Sequence, residues 1–116
     1  LTVIGNVKGR NVVMVDDEVN QGTTIAGGAK KLYEAGAKDV YACFVHPTFT
    51  EKAIELLDGA NFKEIVFTNT ERVNKEDLLP NMKVIHLGDW LAAVIDAIHR
   101  GFSVGATLRN YEPKFD

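Results

Sequence analysis

Hydrophobic and polar positions fall along this chain in blocks of changing period. Val12-Val13-Met14-Val15 is an unbroken apolar run that stops at Asp16-Asp17, the pattern of a strand buried on both faces that ends on a polar rim. From Thr24 to Glu34 the apolar spacing is helical, and Gly36 just beyond suits a left-handed cap. Asp39 to Val45 returns to strand, with Val40, Ala42 and Phe44 on one side and Tyr41, Cys43 and Val45 on the other. Both sides are apolar, so burial on both is expected. Thr50 is placed to cap a short helix over Glu51 to Leu57, with Glu51 favourable in its first turn. Glu64 to Thr68 and Lys83 to Leu87 read as a third and fourth strand, separated by the polar stretch Asn69 to Asn81. Asp89 then caps a helix predicted over Trp90 to Arg100, whose Leu91, Val94, Ile95 and Ile98 share one face, and Gly101 ends it.

The resulting order is strand, helix, strand, helix, strand, strand, helix. It predicts an α/β fold with a mainly parallel sheet and helices on both faces. There is no internal repeat and no low-complexity segment.

Composition narrows this picture. The chain has 116 residues and 46% hydrophobic content, enough for one compact domain spanning 1–116 and not for two. Thirteen Lys and Arg against sixteen Asp and Glu give a net charge of −3 with no basic cluster, so neither nucleic acid nor an anionic membrane is an expected partner. A single cysteine, Cys43, inside an apolar segment points to a reducing compartment and no disulfide. Neither a signal peptide nor a membrane-length apolar stretch is present, which predicts a cytoplasmic protein. The chain opens on Leu1 rather than Met, which predicts a fragment or a processed product.

Candidate chemistry gathers in the loop from Glu18 to Thr24. A helix amino terminus carries N–H groups with no intrahelical partner and a partial positive charge, and so receives anions. Gly22 allows close backbone approach or positive φ, while Thr23 and Thr24 offer one hydroxyl to cap the helix and another to meet a phosphate oxygen. Asp16 and Asp17 would repel a phosphate but suit sugar hydroxyls or a divalent cation beside it. The arrangement fits a phosphosugar, and the plainer alternative is a strand-to-helix connection whose polar residues only cap the helix.

In parallel sheets ligands sit at the carboxyl ends of strands. His46 and Thr68-Asn69-Thr70 therefore share the rim of the acidic loop, where each also reads as an ordinary strand-end or turn residue. His86 lies in an apolar strand and reads as structural, and His99 as solvated. Cys43 reads as a small core residue and Trp90 as packing at a helix start or at a subunit interface.

The segment Val12 to Thr24, Val-Val-Met-Val-Asp-Asp-Glu-Val-Asn-Gln-Gly-Thr-Thr, resembles the phosphoribosyl-binding loop of type I phosphoribosyltransferases and of ribose-phosphate diphosphokinases, the phosphoribosyl pyrophosphate synthetases. Val3 to Arg10, Gly36 to His46, Val66-Phe67-Thr68-Asn69-Thr70 and the stretch from Leu91 to Val104 resemble the carboxyl-terminal part of the synthetases, in order and without large gaps. The resemblance implies a type I phosphoribosyltransferase-like fold in about the last third of a longer two-domain enzyme. That enzyme transfers diphosphate from ATP to ribose 5-phosphate with Mg²⁺ and is a homo-oligomer. It implies that Asp16 and Asp17 hold ribose hydroxyls, directly or through the metal, and that Asn20, Gln21, Gly22, Thr23 and Thr24 cradle the 5-phosphate. ATP would be bound mainly by the part absent from this chain, which would also carry a flexible segment with basic catalytic residues, so those roles are assigned to no residue here and the catalytic residues stay unidentified.

The loop departs from the family pattern at three positions. Asn20 stands where Asp is usual, Gln21 where Thr is usual, and Thr23 where a second Gly is usual. Removing the acid at position 20 favours anion binding, whereas a Cβ at Thr23 restricts the loop. A salvage phosphoribosyltransferase and a non-catalytic, synthetase-like regulatory subunit are the alternative readings. Val15-Asp16-Asp17-Glu18 also resembles the first strand end of a response-regulator receiver domain, but the third strand ends Phe67-Thr68-Asn69 without the phosphoacceptor acid such a domain needs.

Overall fold

Each apolar block becomes an element close to where its period changes. The computed structural model describes residues 2–115. In chain order they form β1 (Val12–Val19), α1 (Thr23–Glu34), β2 (Val40–Pro47), α2 (Glu51–Gly59) and β3 (Ile65–Thr68). A single 3-10 turn (Lys75–Asp77) interrupts the polar stretch, followed by β4 (Met82–His86), α3 (Gly88–Arg100), α4 (Val104–Arg109) and β5 (Lys114–Phe115).

The five strands form one sheet in the order β1-β2-β3-β4-β5. The first three pairings are parallel, and β5 adds antiparallel to β4. The α/β class and the mainly parallel sheet are thus as the pattern predicts. Right-handed crossovers between strands laid side by side in sequence order bring successive helices to the same face. The register agrees, since a Cβ on Gly28 of α1 would meet Met14 at 2.5 Å, and Met14 pairs with Ala42 and Ala42 with Ile65.

That face carries the core. Val40, Ala42, Phe44, Ile65 and Phe67 from the strands are buried with Ile25 and Ala29 of α1 and Leu57 of α2. Phe44 and Phe67 stack with ring centroids 5.3 Å apart, and Phe49 meets both edge-on at 5.9 and 5.5 Å. These offset and T-shaped arrangements are the favourable ones for aromatic quadrupoles.

The opposite face corrects the expectation of strands buried on both sides. Val13 and Val15 are 60% and 79% exposed and Val45 40%, while Cys43 between them is only half-buried rather than a core residue. An unbroken apolar run is ambiguous here, because it reports that both faces can be buried and not that this chain supplies both covers. The predicted apolar face of α3 behaves likewise: Leu91, Ile95 and Ile98 are exposed, and Ala97 is the one buried residue of that helix.

Local boundaries also differ. Asp89 does not cap α3; Leu87 occupies the cap position and Asp89 sits in the first turn, where its carboxylate binds Lys114 of β5. Thr50 is the N-cap of α2 as predicted, although its side chain makes no capping bond. Gly36 and Gly101 take the left-handed conformation expected of them, with φ of 93° and 72°. Pattern reading did not foresee α4 and β5. Ser103 caps α4 by accepting from the Ala106 N–H at 3.1 Å. Trp90 packs against Tyr111, ring centroids 6.3 Å apart.

Leu57 is fully buried, so Leu57→Ala is expected to lower unfolding free energy by about 2–5 kcal/mol in urea titration, whereas Leu91→Ala at the exposed face should stay within about 0.5 kcal/mol of the parent. The β5 tether gives a pH signature. The hydrogen bond and charge of Lys114 hold the Asp89 carboxyl below its ordinary value, and the same pair raises Lys114. The Asp89 contribution is complete above the ordinary carboxylate range and is lost as pH falls through the lowered value. The Lys114 contribution is complete below the ordinary lysine range and is lost as pH rises through the raised one. Amide NMR shifts of β5 should therefore hold steady near neutrality and move toward unfolded values in acid, and Asp89→Asn should abolish that acid limb.

Candidate functional site

The acidic end of β1 is strand and not loop. Pairing with β2 runs from Val12↔Val40 through Asp16↔Phe44 and Glu18↔His46 to Val19↔Pro47, so Asp16, Asp17 and Glu18 are held in extended backbone. Three residues, Asn20 to Gly22, then carry the chain to the first turn of α1 at Thr23.

Gly22 is needed at the turn for its conformation. Its φ is 79°, in the left-handed region that a side chain rarely adopts, although an added Cβ would meet Ala53 and Leu56 of α2 only at ordinary contact distance. It is also the cap residue of α1, and no side chain caps that helix. The expectation that Thr23 or Thr24 caps α1 is therefore corrected: the helix starts one residue earlier than its apolar period, so both threonines lie inside the first turn. The uncapped N–H groups of that turn are left for an outside acceptor.

A cavity of about 310 Å³ opens here. Asp16, Asn20, Gln21, Gly22, Thr23 and Thr24 all line it, joined by Glu18. Asp17 does not line it; its N–H donates to Asp16 Oδ1 at 2.9 Å, and strand alternation gives it the side of Val13 and Val15. A larger groove of about 890 Å³ runs between α1 and α2 past Lys30, Tyr33 and Leu56, but neither the acid pair nor the loop residues Asn20, Gln21 and Gly22 line it.

The neighbouring strand ends show where the other rim residues are. The Thr68 hydroxyl donates to the Val45 carbonyl at 2.6 Å, and the Thr70 hydroxyl does so at 3.3 Å. His46 Nδ1 lies 2.8 Å from Thr70 Oγ1, a geometry that suits a histidine protonated at Nδ1 and donating to that hydroxyl. Asp16, His46 and Thr68 thus share the carboxyl-terminal rim of three parallel strands, but His46 and Thr68 are engaged in joining β2 to β3. His86 has the structural place expected, its Nδ1 3.0 Å from Asn69 Nδ2 and its carbonyl accepting from Tyr111 at 3.1 Å.

Two residues that pattern reading passed over complete the site. Thr48, just past β2, donates its hydroxyl to Glu18 Oε1 at 2.8 Å, and Asn20 Nδ2 donates to the Thr48 carbonyl at 3.0 Å. The strand-end rule that ranked His46 would have ranked Thr48, had β2 been extended to Pro47. Among the described residues no cluster of three or more His, Cys, Asp or Glu is placed to hold a metal ion, and no helix is long and apolar enough to cross a membrane.

Comparison with known proteins shows the family. The ribose-phosphate pyrophosphokinase of Nostoc sp. is 41% identical over 109 residues, which are 94% of this chain and 33% of that protein. Ribose-phosphate pyrophosphokinase 1 of Spinacia oleracea is 38% identical over 94% of this chain and 32% of its own length. The crystal structure of phosphoribosylpyrophosphate synthetase from Mycobacterium smegmatis matches with a TM-score of 0.81 at 32% identity, covering 84% of this chain and 33% of that one. The chain therefore spans about a third of the length of these relatives, and the region of likeness includes the whole of the site. The model of the phosphoribosyl synthetase-associated domain matches residues 1–109, and with a phosphoribosyltransferase-type sheet beneath it the chain belongs to that family.

Proposed function

We propose that this chain is the ribose-5-phosphate-binding part of a ribose-phosphate diphosphokinase, which transfers the diphosphoryl group of ATP to the anomeric hydroxyl of ribose 5-phosphate. One observation carries the reading. A single cavity is lined both by the acids Asp16 and Glu18 and by Gly22, Thr23 and Thr24 at the uncapped amino terminus of α1. A carboxylate accepts hydroxyl hydrogen bonds and repels phosphate, while a helix amino terminus does the reverse, so the pair orients a phosphosugar end to end.

In this reading the first-turn N–H groups and the hydroxyls of Thr23 and Thr24 bind the 5-phosphate, with Asn20 and Gln21 shaping the loop. Asp16 accepts from ribose hydroxyls, while Asp17, outside the cavity, has no direct contact with the sugar in this reading. Mg²⁺ suits this donor set, because it prefers one or two carboxylates with its remaining positions filled by substrate oxygens and water. When bound it would neutralise charge on the transferred group. Asp16, the member of the acid pair that lines the cavity, would hold it through the substrate. ATP would be met mainly by residues outside this chain, consistent with its covering a third of the relatives' length. Positioning is a large part of such catalysis, so a part that holds the acceptor sugar contributes directly to rate.

A second reading, a non-catalytic synthetase-like subunit, draws on one specific observation. Asn20, Gln21 and Thr23 all differ from the family's usual residues, and the Asn20 side chain is turned to Thr48.

Two measurements test the first reading. Thr24→Val keeps shape and removes a hydrogen bond to a charged oxygen, typically worth about 1.5–3 kcal/mol, so calorimetric titration should show ribose 5-phosphate binding weakened about ten- to hundredfold. Gln21→Thr should leave affinity unchanged or raise it. Equal affinity for Thr24→Val and the parent would make the loop a helix start and nothing more. The purified chain with ATP, Mg²⁺ and ribose 5-phosphate should yield no phosphoribosyl pyrophosphate, and detectable product would refute the assignment of ATP binding to residues outside it.

A further inference from the structure

We propose that Asn20 is a positioning residue: by donating to Thr48 it locks the phosphate loop onto the end of β2, a role that the acid usual at this position in the family cannot fill. The inference rests on the ribose-5-phosphate reading for its consequence in binding, but the lock itself stands on hydrogen bonds in the unliganded chain.

The geometry has a direction. Asn20 Nδ2 lies 3.0 Å from the Thr48 carbonyl oxygen and 3.4 Å from Thr48 Oγ1, and Thr48 Oγ1 in turn donates to Glu18 Oε1 at 2.8 Å. A carbonyl only accepts, and a hydroxyl that gives its proton to a carboxylate can only accept from elsewhere. The group facing both must therefore be a donor, which identifies the amide NH₂ and excludes an ionised carboxylate. The backbone adds a second tie, because the Thr50 N–H donates to the Asn20 carbonyl at 3.0 Å.

Position explains what the lock does. Regular pairing of β1 with β2 stops at Val19↔Pro47, and the first turn of α1, with its open N–H groups, begins at Thr23, three residues beyond Asn20. Asn20 extends the tie between the two chains across that gap. Without it, Gln21 and Gly22 would hang between the last ladder pair and the first helical turn, and the anion-binding N–H groups would lose their fixed direction. Pre-organisation of that kind appears in affinity because an unlocked loop must be ordered by the ligand.

Asn20→Asp tests the lock through its own chemistry. At pH 7.5 the introduced carboxylate meets only acceptors, with Glu18 joined through the Thr48 hydroxyl, so ribose 5-phosphate should bind about tenfold more weakly than to the parent, a loss of roughly 1.4 kcal/mol. As pH falls through about 6 to 4, the introduced group protonates and regains an O–H to give to the Thr48 carbonyl, so the affinity ratio to the parent should return toward one. Glu18 on β1, His46 on β2 and Glu51 and Lys52 at the start of α2 border this corner in both proteins, so the ratio cancels their titration and that of the ligand phosphate. A ratio near one at pH 7.5, or a loss that does not change with pH, overturns the positioning role.

Amide hydrogen exchange without ligand separates this failure from failure of the parent reading. Exchange at residues 21–24, taken as a ratio to the parent at each pH, should be faster in Asn20→Asp at pH 7.5 and converge in acid. If the parent does not bind ribose 5-phosphate but the exchange ratio behaves so, the lock holds and the ligand assignment falls. An exchange ratio of one throughout rejects the lock whatever binds.

Discussion

The parallel ladder between β1 and β2 is the constraint on which the site depends. It runs from Val12↔Val40 to Val19↔Pro47 and so carries pairing past the apolar run to Asp16↔Phe44 and Glu18↔His46. Carboxylates at Asp16, Asp17 and Glu18 are poor strand formers and repel one another, and on propensity alone the strand would fray where they begin. It does not fray, because each residue of β1 is held by a neighbour whose own alternate side chains, Val40, Ala42 and Phe44, are anchored in the core. The aromatic stack of Phe44 on Phe67, with Phe49 edge-on to both, thus fixes the height at which Asp16 stands relative to α1. Core packing and site geometry are one structural fact here.

How much of this was legible in the sequence depends on whether the signal was local. The four main strands and three longer helices were, since each is announced by a change of period and most are closed by a Gly or opened by a polar residue. The strand ends were not. Period sees side chains, and the extension of β1 to Val19 and β2 to Pro47 is a property of backbone pairing between residues 28 apart in sequence. Likewise α4 and β5 are short, and β5 is held at the edge by Ile85↔Phe115, His86↔Lys114 and the ion pair of Lys114 with Asp89. Neither has enough residues for a period to show.

Burial was misread for a different reason. Val13, Val15 and Val45 are as hydrophobic as Val12 and Val40, but α1 and α2 pack on one face and leave the other open. Sequence reports the preference of a side chain and not the availability of a cover. The exposed residues of α3, Leu91, Ile95 and Ile98, repeat the lesson at helical spacing.

At the site, the residue types were legible and their division of labour was not. Gly22 was read correctly as a place for positive φ, but which residue caps α1 depended on a one-residue shift of the helix start. Position 20 is the sharper case. Considered by charge alone, replacing an acid with Asn20 lightens the negative field around a phosphate and nothing more. Considered by donor and acceptor, it converts a side chain that could only accept into one that can give, and opposite it stand a carbonyl and a hydroxyl that both need a donor. The Thr48 hydroxyl passes that polarity on to Glu18, so a cavity-lining carboxylate is spoken for by a neighbour instead of facing the ligand unpaired. Asp16 is then the remaining acid of the cavity, and no further acid at position 20 offsets the positive end of α1.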